Sequence, residues 1–208
     1  MNKKTSKKSK SLNTGWKQWD KYLERYVGKK VNIMEIGVFK GSATKWFLTN
    51  IATNKKSKVY AVDTWEGSPE YTSDINFKEV ECIFHENCKK IGRVKQVVTL
   101  KMTSNEALLK LNNLEKKIEF DIIFIDASHE ARDVLSDAIL SWKLLKNGGI
   151  LIFDDYKWEK LKELYFQPKI AIDSFINCYY PELDVLYKDW QVIIQKKKLK
   201  DYIKPKSN

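Results

Sequence analysis

The sequence predicts an α/β protein built on a doubly wound, mostly parallel sheet. Four short apolar runs each end in an acid: Val31 to Glu35, Val59 to Asp63, Ile122 to Asp126, and Ile150 to the pair Asp154–Asp155. Runs of this length, rich in β-branched residues, read as strands buried on both faces, and such strands belong to parallel sheets covered by helices. Helical stripes alternate with them through residue 155, which is the pattern of a doubly wound domain. Open sheets bind ligands beyond the carboxyl ends of their strands, so the row of acids should border a ligand site.

Taken in order, Thr14 can cap a helix in which Trp16, Trp19, Leu23 and Tyr26 recur at helical spacing and Gly28 closes the end. Strand one, Val31 to Glu35, leads through the turn Gly37–Gly41 into a helix from Ser42 to Ala52. Strand two is Val59 to Asp63. Residues 64–76 hold Gly67 and Pro69 and read as a loop, after which Phe77, Val80, Phe84, Cys88 and Ile91 mark a helical stripe. Val97 to Met102 is strand three. Thr103 and Glu106 have capping-box spacing before Ala107, Leu108 and Leu111, so a helix should start there.

Ile122 to Asp126 is strand four, and Val134, Ala138, Trp142 and Leu145 trace the next helix, which Asn147-Gly148-Gly149 should stop. Strand five is Ile150 to Asp154. The aromatic and Lys-rich segment 156–167 reads as a short mobile cap, and Lys169 to Cys178 as another helix. Leu183 to Tyr187 and Gln191 to Gln195 flank a tight turn and look like a final pair of strands. The expected organisation is a basic tail over residues 1–12, one domain over 13–196 and a second basic tail over 197–208.

A chain of 208 residues suits one such domain. No apolar run reaches the roughly 18 residues of a membrane span, and the basic start lacks the apolar segment of a signal peptide. Cys82, Cys88 and Cys178 are odd in number and lack CxxC spacing, which argues against a disulfide framework or a zinc–thiolate site. A cytoplasmic location with reduced thiols is the expectation. The net charge of +11 sits mostly in the tails: residues 1–10 and 196–208 carry +5 each, which leaves +1 for the body. A nucleic-acid reader would carry its basic stripe on the folded surface, so RNA stays a secondary expectation resting on the tails alone.

The stretch Glu35-Ile36-Gly37-Val38-Phe39-Lys40-Gly41-Ser42 follows a buried strand and opens a helix. Backbone amides and a helix N-terminus can approach a ligand there. Asp63 ends the next strand and can accept hydrogen bonds from two ribose hydroxyls. The spacing is GxxxG rather than the dinucleotide GxGxxG. Together with Val-Asp-Thr-Trp-Glu-Gly, Ile-Asp-Ala-Ser-His, Lys-Asn-Gly-Gly-Ile-Leu-Ile-Phe-Asp-Asp-Tyr and the closing hairpin, this order of motifs resembles the class I S-adenosylmethionine-dependent methyltransferases from about Val31 to Gln195. The resemblance implies a seven-stranded Rossmann-like sheet ending in an antiparallel pair. It also implies that Glu35, Gly37, Gly41 and Ser42 surround the amino-acid part of the cofactor, Asp63 the ribose and Ser104 the adenine. Simple helix-start chemistry accounts for Ser104 equally well.

Asp126, Asp154 and Asp155 should share one sheet edge, where three carboxylates repel one another unless a cation or a proton relieves them. A hard divalent ion such as Mg²⁺ does so. Within the family the pattern resembles the metal-dependent O-methyltransferases, the catechol type and especially the macrocin type that acts on sugar hydroxyls, whose ligands match Asp126, Asp154 and Asp155. The catechol type usually has Asn at the last position. Consecutive strand residues point to opposite faces, so Asp154 and Asp155 can serve one ion only if the chain bends after Phe153; otherwise Asp155 caps a turn or faces solvent. His129 lies three residues past Asp126, on its side if a helix starts there. It either acts as base or only orients a carboxylate; catechol-type relatives commonly place Lys at this offset. His85 reads as a surface residue. The expected acceptor is a hydroxylated small molecule such as a sugar or glycoside, with Trp65, Tyr71, Tyr156 and Trp158 available to stack on it. Oligomeric state is not legible.

Overall fold

In a computed structural model, residues 16–67, 75–159 and 161–198 are described. They form β1 (Asn32–Ile36), β2 (Lys58–Asp63), β3 (Val97–Lys101), β4 (Phe120–Ile125), β5 (Leu145–Phe153), β6 (Leu183–Lys188) and β7 (Val192–Lys196). The helices are α1 (Lys17–Leu23), α2 (Ser42–Asn50), α3 (Phe77–Lys90), α4 (Ser104–Asn112), α5 (Ala131–Leu144) and α6 (Pro168–Tyr179). One sheet of order β3-β2-β1-β4-β5-β7-β6 contains all seven strands. The first five are parallel, and β7 pairs antiparallel with both β5 and β6. The order reverses at β1 and β4, so the ends of those two strands flank the crevice where such sheets bind ligands.

Side chains alternate across the sheet as a doubly covered sheet requires. Ile33, Ile122, Phe124, Ile150, Ile152 and Ile193 face Trp19, Leu23, Trp46 and Phe47 of α1 and α2. Met34, Ile36, Ile123, Ile125, Leu151 and Phe153 face Leu108, Val134, Trp142, Ile172 and Phe175 of α4, α5 and α6. A third cluster places Val80, Phe84 and Cys88 of α3 against Val38, Ala61 and Trp65. All three cysteines are free, and no helix of the described residues is long and apolar enough to cross a membrane.

Departures from the expected elements have local causes. Helix α1 begins at Lys17 behind Trp16, while Thr14 lies outside the described residues, as do the tails over 1–12 and 199–208. Asn147-Gly148-Gly149 belongs to β5 instead of preceding it. There the pairing runs Phe120 to Leu145 and next Ile122 to Ile150, so residues 146–149 form an irregular excursion within the strand. Segment 156–167 contains one 3₁₀ turn, Leu164–Phe166. The Thr103–Glu106 capping box is fully formed.

Candidate active site

A cavity of about 310 Å³ opens at the carboxyl ends of β1, β2 and β4. Of the residues expected around a cofactor, Gly37, Asp63 and Ser104 line it, and Asp126 stands beside them. Glu35, Gly41 and Ser42 are not among its lining residues. Glu35 is 1% exposed and accepts a hydrogen bond from the Thr44 hydroxyl of α2. Burial, only partly offset by that bond, pushes its carboxyl up to about 8, so it stands neutral in neutral water. Gly41 (φ +79°) abuts Phe84, whose ring would lie 2.6 Å from an added Cβ, and Ser42 opens α2 on the surface. Gly37 (φ +83°) is packed still more tightly, since a Cβ there would meet the Asp126 carbonyl oxygen at 1.9 Å. Both glycines therefore serve close packing of protein on protein.

The turn between them is tied inward as well. Gly37 N–H donates to the Val62 carbonyl (2.9 Å) and Gly41 N–H to that of Val38 (2.8 Å). Val38 and Phe39 N–H both donate to Asp63 Oδ2 at 2.8 Å, and Trp65 N–H to Oδ1 at 2.7 Å. The indole Nε1–H of Trp65, a buried residue, donates to the Phe39 carbonyl at 2.9 Å. Phe39, Trp65, Gly67, Phe77, Val80 and Met102 supply the apolar wall. The sequence reading missed most of that wall, because nothing in residue spacing marks Phe39 or Phe77 as cavity-facing.

Beyond Asp126 the cavity adjoins a recess bordered by Asp154, Asp155, Phe153 and Pro168. The bend required after Phe153 exists: Asp155 adopts φ +58°, and its N–H donates to Asp154 Oδ1 at 2.9 Å. Asp126 opens onto the cavity but is walled by protein, and desolvation first, then Asp154, Asp155 and Glu35, push its carboxyl well above the usual carboxylate range. Asp154 is raised chiefly by burial and next by Asp155, against the pull of Gln191 and His129. Among the non-glycine residues described, only Phe39, Trp65 and Asp155 have positive φ, and all three border these two spaces. Such conformations persist where the surroundings over-determine them, and they cluster at functional sites.

His129 reaches the acids by a different route from the one expected. No helix starts at Asp126; α5 begins at Ala131, and loop 127–130 carries the imidazole to Asp155 Oδ2, 2.9 Å from Nε2. Trp158 of the cap stacks on the imidazole, with centroids 4.2 Å apart and planes 5° apart. On the other flank Gln191 Nε2 donates to Asp154 Oδ2 (3.0 Å), while its Oε1 accepts from Nε1 of the fully buried Trp19 (2.8 Å). Trp–NH can only donate, so the amide orientation is fixed. Among the described residues no three His, Cys, Asp or Glu side chains are grouped to hold a metal ion. Gln191 bonds one oxygen of Asp154 and His129 one oxygen of Asp155, which leaves further acceptor positions on each carboxylate. Of the aromatics expected at the acceptor, Tyr156 is buried with its hydroxyl on Asp173, and Tyr71 lies outside the described residues.

A family model described as a methyltransferase domain matches residues 34–156. An uncharacterized protein of Acanthamoeba polyphaga mimivirus is 30% identical over 128 residues, 60% of this chain and 51% of that protein, so the chain spans about half the length of the curated relative it matches. Among solved structures, the O-methyltransferase from Bacillus cereus in complex with SAH superposes with a TM-score of 0.61 at 20% identity, covering 80% of this chain and 74% of that one. A putative rRNA-methylase from Clostridium thermocellum gives 0.65 at 11% identity, covering 90% and 98%.

Proposed function

From the premise that this chain belongs to the methyltransferase-domain family, we propose that it is an S-adenosylmethionine-dependent O-methyltransferase acting on the hydroxyl of a small molecule such as a sugar or glycoside. The observation that carries the reading is the continuity of the cavity at Gly37, Asp63 and Ser104 with the acid recess at Asp126, Asp154 and Asp155, which share Asp126, Ala127 and Ser128 in their walls. About 310 Å³ lies at the lower end of the range for small-molecule sites, and the wall combines apolar side chains with a few polar groups, as such sites do. Ser104, at the start of α4, is the proposed neighbour of the adenine. The bound cofactor supplies an electrophilic methyl on a sulfonium, which an acceptor oxygen displaces in line.

The chain's own contribution is positioning and removal of a proton. An ionised Asp155 can only accept, so in the 2.9 Å bond between them His129 Nε2–H is the donor. Asp155 then favours the imidazolium that forms when the ring takes the acceptor's proton. Trp158 holds the ring plane and covers it from solvent. Base assistance of this kind contributes roughly 10²- to 10⁴-fold in rate. Magnesium assistance would draw on Asp126, Asp154 and Asp155, the last two of which can keep their bonds to Gln191 and His129 while ligating through other lone pairs. The test is a methyl-transfer screen with labelled cofactor over sugars, phenols and RNA, with and without Mg²⁺. Label on a hydroxylated small molecule is expected, and transfer confined to RNA would replace this reading with a nucleic-acid one.

A further inference from the structure

We propose that Asp63 is a positioning residue, one that holds the 37–41 turn and Trp65 in the shape the cofactor requires, and that it does not grip both ribose hydroxyls at once. This inference rests on S-adenosylmethionine being the cofactor. A carboxylate has about four acceptor positions on its two oxygens. Oδ2 of Asp63 already receives two backbone N–H groups, from Val38 and Phe39, and Oδ1 receives that of Trp65. To grip a vicinal diol, each oxygen must offer an open position. Oδ2 has none, so a two-handed grip on ribose would strip an amide of its partner within the turn.

A second observation points the same way. Phe39 and Trp65 both sit in the left-handed region, at φ 50° and 53°, where bulky side chains stay only when held. What holds them is Asp63, which bonds both amides, together with the indole Nε1–H of Trp65 on the Phe39 carbonyl. Both residues line the cavity. One carboxylate thus fixes two walls of the space in advance, and the benefit to a ligand is preorganisation rather than direct contact.

The two roles separate in a cycle that crosses the side chain with the ribose hydroxyls. The full chain and Asp63→Ala are titrated calorimetrically with S-adenosylhomocysteine (SAH) and with its 2′-deoxy and 3′-deoxy analogues. A clasp predicts that Asp63→Ala weakens all three ligands by the same factor, tenfold or more. Weakening of SAH by a larger factor than of both deoxy analogues would show that each hydroxyl bonds the carboxylate and overturn the proposal. Trp65→Phe keeps the carboxylate, removes only the Nε1 donor, and carries the test should Asp63→Ala not fold. It is expected to weaken all three ligands equally, by several-fold, and unchanged SAH affinity would overturn the proposal. A wild-type chain that binds none of the three would bring down the cofactor reading and this inference with it.

Discussion

The two ends of the site use the same side-chain type for opposite purposes. At the end of β2, Asp63 accepts from three backbone amides and shapes the cavity. At the ends of β4 and β5, Asp126, Asp154 and Asp155 crowd one another, and burial with mutual repulsion pushes Asp126 and Asp154 upward. An acid satisfied by amides behaves as structure, whereas acids set against one another stay responsive to a proton or a charge. The first half of the site is therefore preformed and the second is reactive.

The strongest way to break this division is at His129. His129→Ala should lower the methyl-transfer rate by roughly 10²-fold or more while leaving SAH affinity unchanged; radiolabel transfer and calorimetry read the two quantities, and a parallel loss of SAH binding would dissolve the division. Gly37 is the joint between the halves, with its Cβ position against the Asp126 carbonyl. Gly37→Ala should cost more than about 3 kcal/mol in urea unfolding, because φ +83° and a backbone clash act together. Gln191→Leu should cost less, about 1–3 kcal/mol, by leaving the Trp19 indole N–H unpaired in the core and removing a donor from Asp154. SAH affinity should hold in that variant.

The last effect is one of pH and concerns Glu35. Its native carboxyl is raised from 4.5 to about 8, so between those values the folded state holds a proton that the unfolded state has lost. Stability accordingly falls as pH rises through that window and levels off above it. Asp137, buried in α5 and raised to about 7, adds to the same slope. Glu35→Gln should flatten part of the slope between pH 5 and 8 in urea titrations; an unchanged slope would show that Glu35 is ionised in the fold.

The sheet was legible because its strands are buried on both faces and leave unbroken apolar runs, and the Thr103–Glu106 capping box because its bonds are local. The acids at strand ends were legible as a group. Their division of labour was not, since the Asp63 clasp depends on where the 37–41 turn and Trp65 meet in space. Asp is among the residues that tolerate the left-handed region, but nothing in the spacing puts the bend at Asp155 rather than at Asp154, and His129 arrives by a loop where helical spacing had suggested a helix. The Gln191–Trp19 link joins positions 172 residues apart, a distance at which sequence pattern carries no information.

The central claim is that a preformed cofactor cavity works beside a separate acid cluster. Calorimetric titration of the full chain with SAH in excess EDTA tests it most directly. The account predicts one-to-one binding with the same affinity with or without the chelator, because Gly37, Asp63 and Ser104 need no ion to line their cavity. Absence of binding, or binding only after Mg²⁺ is restored, would contradict it.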